Sequence, residues 1–160
     1  MRKEIFSKID LLEAEIKYIE KKIKEQQLLD LKLEEALKKL DWEKAKSLIL
    51  TGGANVNGKD SNGIPFLFYP IKVNNVELFK FFLEHGAKVN IRDKHKNTPL
   101  MIACKIYSSI DFVDILLENY ADPTLKNYKG RTALSFLGSL KPDKMKAKLI
   151  KNKLALYEEK

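Results

Sequence analysis

The side chains that most often carry chemistry are few in this chain. Its 160 residues include one cysteine, Cys104, and two histidines, His85 and His95. One thiol and two imidazoles cannot make up a Cys/His zinc site, and Cys104 has no histidine near it in sequence to serve as its base. The sequence also contains no Gly-rich phosphate loop, no Ser/His/Asp set and no acidic metal motif. It therefore predicts no catalytic residue, no metal ligand and no cofactor, and it favours a non-enzymatic protein.

Charge and hydropathy limit the remaining classes. Lysine and arginine number 30 against 22 acidic residues, which gives a net charge of +8, and half of that excess lies in residues 141–160. All but three of the basic residues are lysines, which favour solubility more than planar recognition of phosphate. No apolar run approaches the roughly 18 residues of a membrane-spanning helix, and the acidic residues near the amino terminus do not suit a secretion signal. We expect a reduced, cytoplasmic protein with no membrane segment, and secretion by another route stays open.

The amino-terminal segment contains no helix breaker before Gly52, and helix-forming residues dominate it. Residues 1–30 carry apolar side chains at alternating spacings of four and three, which is the seam of a coiled coil about three heptads long. So short a seam needs a partner strand or the body of the protein to cover it. The narrow seam favours self-association into a dimer or trimer, and docking onto the body of the same chain is the open alternative. The seam residues are Ile5, Ile9, Leu12, Ile16, Ile19 and Ile23.

Two short sequence patterns recur further along the chain. The segment Leu50–Asn57 returns at Leu83–Asn90 after 33 residues, and a third version, Leu117–Thr124, follows 34 residues later. Asn97–Cys104 contains Thr-Pro-Leu and ends in Ala-Cys, and a related segment, Gly130–Leu134, places Ala133 34 residues after Pro99. A period of 33 to 34 residues with these patterns resembles the ankyrin repeat.

The resemblance implies an all-α fold: a stack of helix-turn-helix repeats, an α-solenoid, preceded by the long amino-terminal helix. We assign residues 31–160 to the repeat domain, with a capping unit at 31–57, fuller units at 59–91 and 92–125, and a degenerate terminal unit at 126–160. Thr98 is expected to cap the first helix of its unit. The aligned apolar residues of the second helices, which include Phe79, Phe82, Val113 and Leu116, are expected to pack between repeats.

Departures from the repeat pattern predict local irregularities. Pro70 falls where the family has a small helical residue, so the first helix of that unit should be short or kinked. Tyr120 stands where the family has a closing glycine. Because a bulky residue with positive φ is costly, we expect the neighbouring Asn119 to take the left-handed conformation instead.

The resemblance also implies a protein partner, bound through the hairpin tips and the concave face of the first helices. The tip positions are basic overall, which favours an acidic partner protein, while the alternative that these lysines only keep the protein soluble stays open. The predicted partner-binding residues are Lys59, Ser61, Asn62, Arg92, Lys94, His95, Asn97, Lys126, Tyr128, Lys129 and Arg131.

Two other functions remain as alternatives. One is a self-assembling structural protein in which the amino-terminal helix makes the oligomer. The weaker one is a basic nucleic-acid binder, suggested by a terminal run of lysines. At helical spacing those lysines spread around the helix, and the run lacks interleaved aromatic residues, so a polar outer face of the terminal repeat explains it better. The run consists of Lys141, Lys144, Lys146, Lys148, Lys151 and Lys153.

Overall fold

A computed structural model describes the backbone of residues 2–106, 110–137 and 144–158, and the side chains of 8–106, 110–137 and 147–157. All regular elements in these ranges are helices, as the sequence predicts, and the extended backbone there is limited to one isolated bridge, between Lys59 and Pro65. The chain divides into two compact units, Met1–Asn55 and Val56–Lys160.

The first unit is a pair of helices, α1 (Arg2–Lys38) and α2 (Trp42–Leu50). α1 runs without interruption through the predicted seam and into the hairpin. Leu40 closes it with a φ of 60°, and the Asp41 carboxylate caps α2 by accepting from the Lys44 amide at 3.1 Å. The buried contact between the two helices consists of Leu33, Ala36, Leu37, Ala45 and Ile49.

The second unit contains three helix pairs that follow one another along the chain. They are α3 (Phe68–Lys72) with α4 (Val76–Glu84), α5 (Pro99–Ile106) with α6 (Ile110–Glu118), and α7 (Ala133–Phe136) with α8 (Lys144–Glu158). The first helices pack in the order α3, α5, α7, and the second helices in the order α4, α6, α8. This is the side-by-side stacking that the repeat period predicts.

Aromatic and aliphatic side chains join consecutive second helices. Phe79 of α4 meets Phe112 of α6 edge to face, with ring centroids 5.1 Å apart. Phe82, Val113 and Leu116 are also fully buried. The Phe79–Phe112 contact joins two consecutive repeats, and the other aligned positions named here are buried, which agrees with the predicted packing between repeats.

Asparagine side chains join the loops that follow the second helices. Asn57 accepts from the Lys88 amide at 2.7 Å and donates to the Gly86 carbonyl at 3.0 Å. Asn90 repeats the pattern one unit later, accepting from the Asp122 amide at 3.0 Å. These bonds satisfy backbone groups of the next loop, and so they hold consecutive repeats in register.

Two local predictions are confirmed. The Thr98 hydroxyl accepts from the Met101 amide at 3.3 Å at the start of α5. The helix that contains Pro70 is short, since α3 has 5 residues while α5 has 8.

The prediction for Asn119 is wrong. Tyr120 itself takes the left-handed conformation, with a φ of 64°. The reason is the hydrogen bonding of the helix end: the Tyr120 and Ala121 amides donate to Leu117 and Leu116, as the Gly86 and Ala87 amides do one repeat earlier. That pattern places the left-handed residue at position 120. Because 90% of Tyr120 is exposed, its ring is not pressed against other elements, and the cost is local backbone strain.

The two helices of the last pair differ in length. α7 has only 4 residues, whereas α8 has 15. Lys153 of α8 pairs with Asp114 of α6, and Ile150 and Leu154 are buried. Of the terminal lysine run, Lys148 and Lys151 are exposed on α8. Lys141 and the side chains of Lys144 and Lys146 lie outside the described residues.

Candidate protein-binding surface

Three loops precede the first helices, and they share one hydrogen-bond pattern. We name these segments, residues 59–65, 92–98 and 126–132, the finger loops. In each loop one side-chain oxygen, from Asp60, Asp93 or Asn127, accepts from the backbone amides two and four residues later, at 2.8 to 3.1 Å. These bonds are Asx turns, which hold the loop in one conformation.

Each finger loop also contains one residue in the left-handed region. Gly63 and Gly130 have φ values of 76° and 69°. Lys96 occupies the same place in the second loop with a φ of 59°. Its ammonium group lies 4.7 Å from the centroid of the Tyr128 ring, so the second loop contacts the third through a cation–π interaction.

Hydrogen bonds connect the second and third finger loops further. The Asn97 amide group donates to Asp93 at 2.9 Å and accepts from Asn127 at 2.8 Å. The Tyr128 backbone amide donates to the His95 carbonyl at 3.0 Å. These bonds join the two loops and hold their backbones next to each other.

The predicted partner-binding residues divide into two groups by exposure. Three are half-buried, namely Arg92, Asn97 and Arg131, and both polar ends of the Asn97 side chain are engaged inside the loops. The other eight are exposed: Lys59, Ser61, Asn62, Lys94, His95, Lys126, Tyr128 and Lys129.

Two basic side chains beside this row were missed by sequence reasoning. Lys96 lies at the tip of the second finger loop, and Lys105 lies in the last turn of α5. The 33- and 34-residue spacing of Asp60, Asp93 and Asn127 is visible in the sequence and marks the loop positions that include Lys96.

The cations of the finger loops have no carboxylate within ion-pair distance among the described residues. Elsewhere in the chain lysines do pair: Lys38 with Glu34 at 2.5 Å and Lys39 with Glu35 at 2.6 Å. The Lys39 ammonium holds the pKa of the Glu35 carboxyl below its usual range through a hydrogen bond and through its charge. Within the described ranges the finger-loop charges have no such partner, so no paired carboxylate offsets their attraction for an external anion.

The amino-terminal seam is open to solvent in a single chain. Ile9, Leu12, Ile16, Ile19 and Ile23 are 44%, 56%, 54%, 55% and 51% exposed. The side chain of Ile5 lies outside the described residues. The described seam residues therefore present apolar surface that nothing in the first unit covers.

Cys104 and His85 are both engaged in packing or hydrogen bonding within the chain. Cys104 is fully buried, and burial raises the pKa of its thiol to about 12, so at neutral pH it is a protonated packing group. The His85 ring stacks on Phe81 with centroids 4.1 Å apart, and its Nδ1 lies 2.7 Å from the Phe81 carbonyl oxygen. Within the described residues, no group of three or more His, Cys, Asp or Glu side chains is placed to hold a metal ion. None of the helices in that part of the chain is both long and apolar enough to span a membrane.

Comparison with known proteins identifies relatives of this chain. The family model for ankyrin repeats, with three copies, matches residues 33–127. A putative ankyrin repeat protein of Acanthamoeba polyphaga mimivirus is 37% identical over 91 residues, which cover 54% of this chain and 56% of that protein. A second protein with that description, from the same virus, is 38% identical over 85 residues, or 52% of this chain and 20% of its own length. A putative ankyrin repeat protein of Fowlpox virus (strain NVSL) is 37% identical over 68 residues, or 42% of this chain and 13% of its own length. The chain thus spans between about an eighth and just over half of these relatives.

Proposed function

Because the chain belongs to the ankyrin repeat family, whose members are protein-interaction modules, we propose that it binds an acidic surface of a partner protein without catalysing a reaction. The contact is made by the finger loops and the concave face of the first helices. The net charge of +8 favours the encounter, since it attracts an acidic partner over about a Debye length, ~10 Å at 0.1 M salt.

This proposal is supported by the row of finger-loop cations, which have no ion-pair partner in the part of the chain that the structure describes and which lie on hydrogen-bonded loops. A charge that has no partner in its own chain keeps its full attraction for a partner protein. The Asx turns and the Asp93–Asn97–Asn127 bonds fix the loops before binding, so little conformational entropy is lost on contact. Tyr128, which is 68% exposed, adds an aromatic side chain of the kind enriched at interface centres.

The test reverses one exposed charge on each finger loop: Lys59→Glu, Lys94→Glu and Lys126→Glu together. The matched control reverses Lys80, Lys148 and Lys151, which are exposed on α4 and α8 and change the net charge by the same amount. Partners are captured from a lysate of the source cells on full-length protein and identified by mass spectrometry. We expect the finger-loop variant to lose acidic partners at low salt while the control retains them. Equal capture by both variants would refute the proposal.

A second candidate function is self-assembly through α1, and the exposed seam carries it. At roughly 100° per residue, the seam centre lies about 90° around α1 from the face that Leu33, Ala36 and Leu37 bury against α2. The seam therefore does not continue the face that the hairpin uses, and its 3.5-residue repeat suits a second helix of the same kind.

Flanking charges favour a parallel arrangement of two copies. Ile9, Ile16 and Ile23 occupy one of the two core positions of the heptad, position a. In a fully overlapping antiparallel pair with this register, Glu15 would face Glu15 of the second copy and Lys8 would face Lys22, so both pairs would repel. In a parallel pair Lys8 faces Glu13 of the second copy. Glu15 then faces Glu20, so the charges nearly cancel and the apolar seam supplies the affinity.

Sedimentation of the full chain tests this candidate. Replacing Ile16 and Ile19 by lysine should give a monomer whose repeats still melt cooperatively. The matched control replaces Leu11 and Tyr18 by lysine. These residues are 62% and 63% exposed and lie on α1 outside the seam. A wild-type protein that is monomeric at high micromolar concentration, or a control that dissociates equally, would reject the seam as the contact.

A further inference from the structure

A small pocket of about 240 Å³ opens between the second and third finger loops. Among the residues that the structure describes, its lining includes four basic side chains, His95, Lys105, Lys129 and Arg131, and no carboxylate. The volume lies below the roughly 300–1,000 Å³ of sites for small-molecule ligands, so it suits a single protruding group. None of the four basic side chains has an ion-pair partner among the described residues.

Arg131 is the most constrained of these side chains. Its guanidinium carbon lies 4.5 Å from the centroid of the Phe136 ring, which holds the planar group in place. Its Nε is buried and has no hydrogen-bond acceptor in the described part of the chain. A buried donor without an acceptor is costly, and this one is closed to water as well.

Asn127 removes a negative charge from the pocket. It occupies the loop position that Asp60 and Asp93 hold in the other two fingers, and it accepts the same two backbone hydrogen bonds, from Lys129 at 2.9 Å and Arg131 at 3.1 Å. The amide therefore keeps the loop conformation without a carboxylate. An aspartate could accept the same two backbone hydrogen bonds, but it would lose the bond that Asn127 donates to Asn97 and would repel an anion in the pocket.

From these observations we infer that the pocket binds one oxyanion on a side chain of the partner protein, a carboxylate or a phosphoryl group. The planar fork of Arg131 matches two oxygens of either group, and the lysines add point charges. The inference rests on the proposed function, because the oxyanion belongs to the protein that contacts the finger loops. It assigns roles to Lys105 and Asn127 that a general attraction to acidic surfaces does not require.

The test titrates ¹⁵N-labelled full-length protein with sodium phosphate and, separately, with sodium acetate, at fixed pH and with sodium chloride holding the ionic strength constant. We expect saturable NMR shifts at the Arg131 Nε–H and at the backbone amides of His95, Lys129 and Arg131. Saturation by phosphate alone assigns the group to a phosphorylated residue, and saturation by acetate assigns it to Asp or Glu. No saturable shift with either anion, or equal shifts around Lys59 on the first finger loop, would overturn the inference.

Three variants locate the binding. Arg131→Gln should raise the dissociation constant of the bound anion by about tenfold or more, because it removes a charge-assisted hydrogen bond. Asn127→Asp should raise it by a similar factor, because it places a like charge beside the anion. Lys59→Gln removes a finger-loop cation outside the pocket and should change the constant by less than about twofold. Wild-type affinity in both pocket variants, with melting temperatures showing that they are folded, would overturn the inference.

The outcome of the anion titration can be distinguished from the outcome of the partner-capture experiment, which tests the proposed function. Saturable anion binding together with partner capture that survives the Lys59, Lys94 and Lys126 reversal leaves the pocket standing and rejects the finger-loop interface. Loss of capture in that variant without any anion binding by the wild-type protein rejects the pocket alone.

Discussion

Replacing Tyr120 by glycine is expected to stabilise the protein, although it removes a whole aromatic side chain. A non-glycine residue in the left-handed conformation costs roughly 1–2 kcal/mol, and Tyr120 has a φ of 64°. The ring is 90% exposed, so its removal forfeits little burial. Glycine loses about 0.4–1 kcal/mol through the greater freedom of the unfolded chain. The net gain is about 0.5–1 kcal/mol, or a rise in Tm of about 1–4 °C for a chain of this size.

Two control variants isolate the backbone effect. Tyr120→Ala keeps the β-carbon and hence the strain, so its stability should stay within about 0.5 kcal/mol of the wild type. Gly86→Ala is the reverse change at the corresponding loop position, where φ is 84°. Apart from Gly86 and its chain neighbours, no heavy atom of the described residues lies within 4 Å of an added β-carbon. It should destabilise the protein by about 0.5–1 kcal/mol. Urea unfolding and thermal melting measure all three, and a Tyr120→Gly protein that is less stable than the wild type would refute the reasoning.

Two further predictions concern the buried core. Phe82 is fully buried, so Phe82→Asp would place an unpaired charge in the core, at a cost of several kcal/mol. Because the whole free energy of unfolding of a domain is about 5–15 kcal/mol, this variant should lose cooperative thermal unfolding, as measured by circular dichroism. Cys104 should make stability depend on alkaline pH, because burial raises the pKa of its thiol from 9.0 to about 12 and the unfolded chain releases a proton that the folded chain keeps. The free energy of unfolding is unaffected by this group below pH 9 and falls by up to about 1.4 kcal/mol per pH unit between pH 9 and pH 12. In Cys104→Ala, a plot of the free energy of unfolding, measured with urea, against pH should be less steep by that amount over the same range.

The repeat architecture could be predicted because its signals are periodic. A 33- to 34-residue spacing of loop patterns, with apolar residues aligned between them, leaves few folds in which each unit can bury its face. The prediction for Asn119 was wrong because it weighed the local cost of a left-handed tyrosine and not the helix-end hydrogen bonds. Those bonds, from Tyr120 and Ala121 to Leu117 and Leu116, decide which residue takes the strain.

The composition of the candidate site was only partly accessible from the sequence. The loop period places the finger-loop residues, so their basic character could be read directly. Lys105 could not be placed beside them, because it lies eight residues beyond Asn97 and reaches the pocket only through the packing of α5 next to the third finger loop. The role of Asn127 is to hold its loop as Asp60 and Asp93 hold theirs, without a negative charge. This role could be recognised only from the structure, where the three side chains accept the same backbone hydrogen bonds.

The two proposed surfaces depend on different forces, and salt separates them. The finger loops attract a partner through unpaired charges, which salt screens, with a Debye length that falls from about 10 Å at 0.1 M to about 3 Å at 1 M. The α1 seam depends on apolar burial, and its flanking charges nearly cancel, so salt should leave the oligomeric state unchanged. Sedimentation and partner capture by the same protein, measured at about 0.05 M and 0.5 M salt, should therefore diverge: capture weakens while the oligomer persists. An oligomer that dissociates in parallel with partner capture would mean that charge holds both contacts, and the seam would then not be the contact between copies.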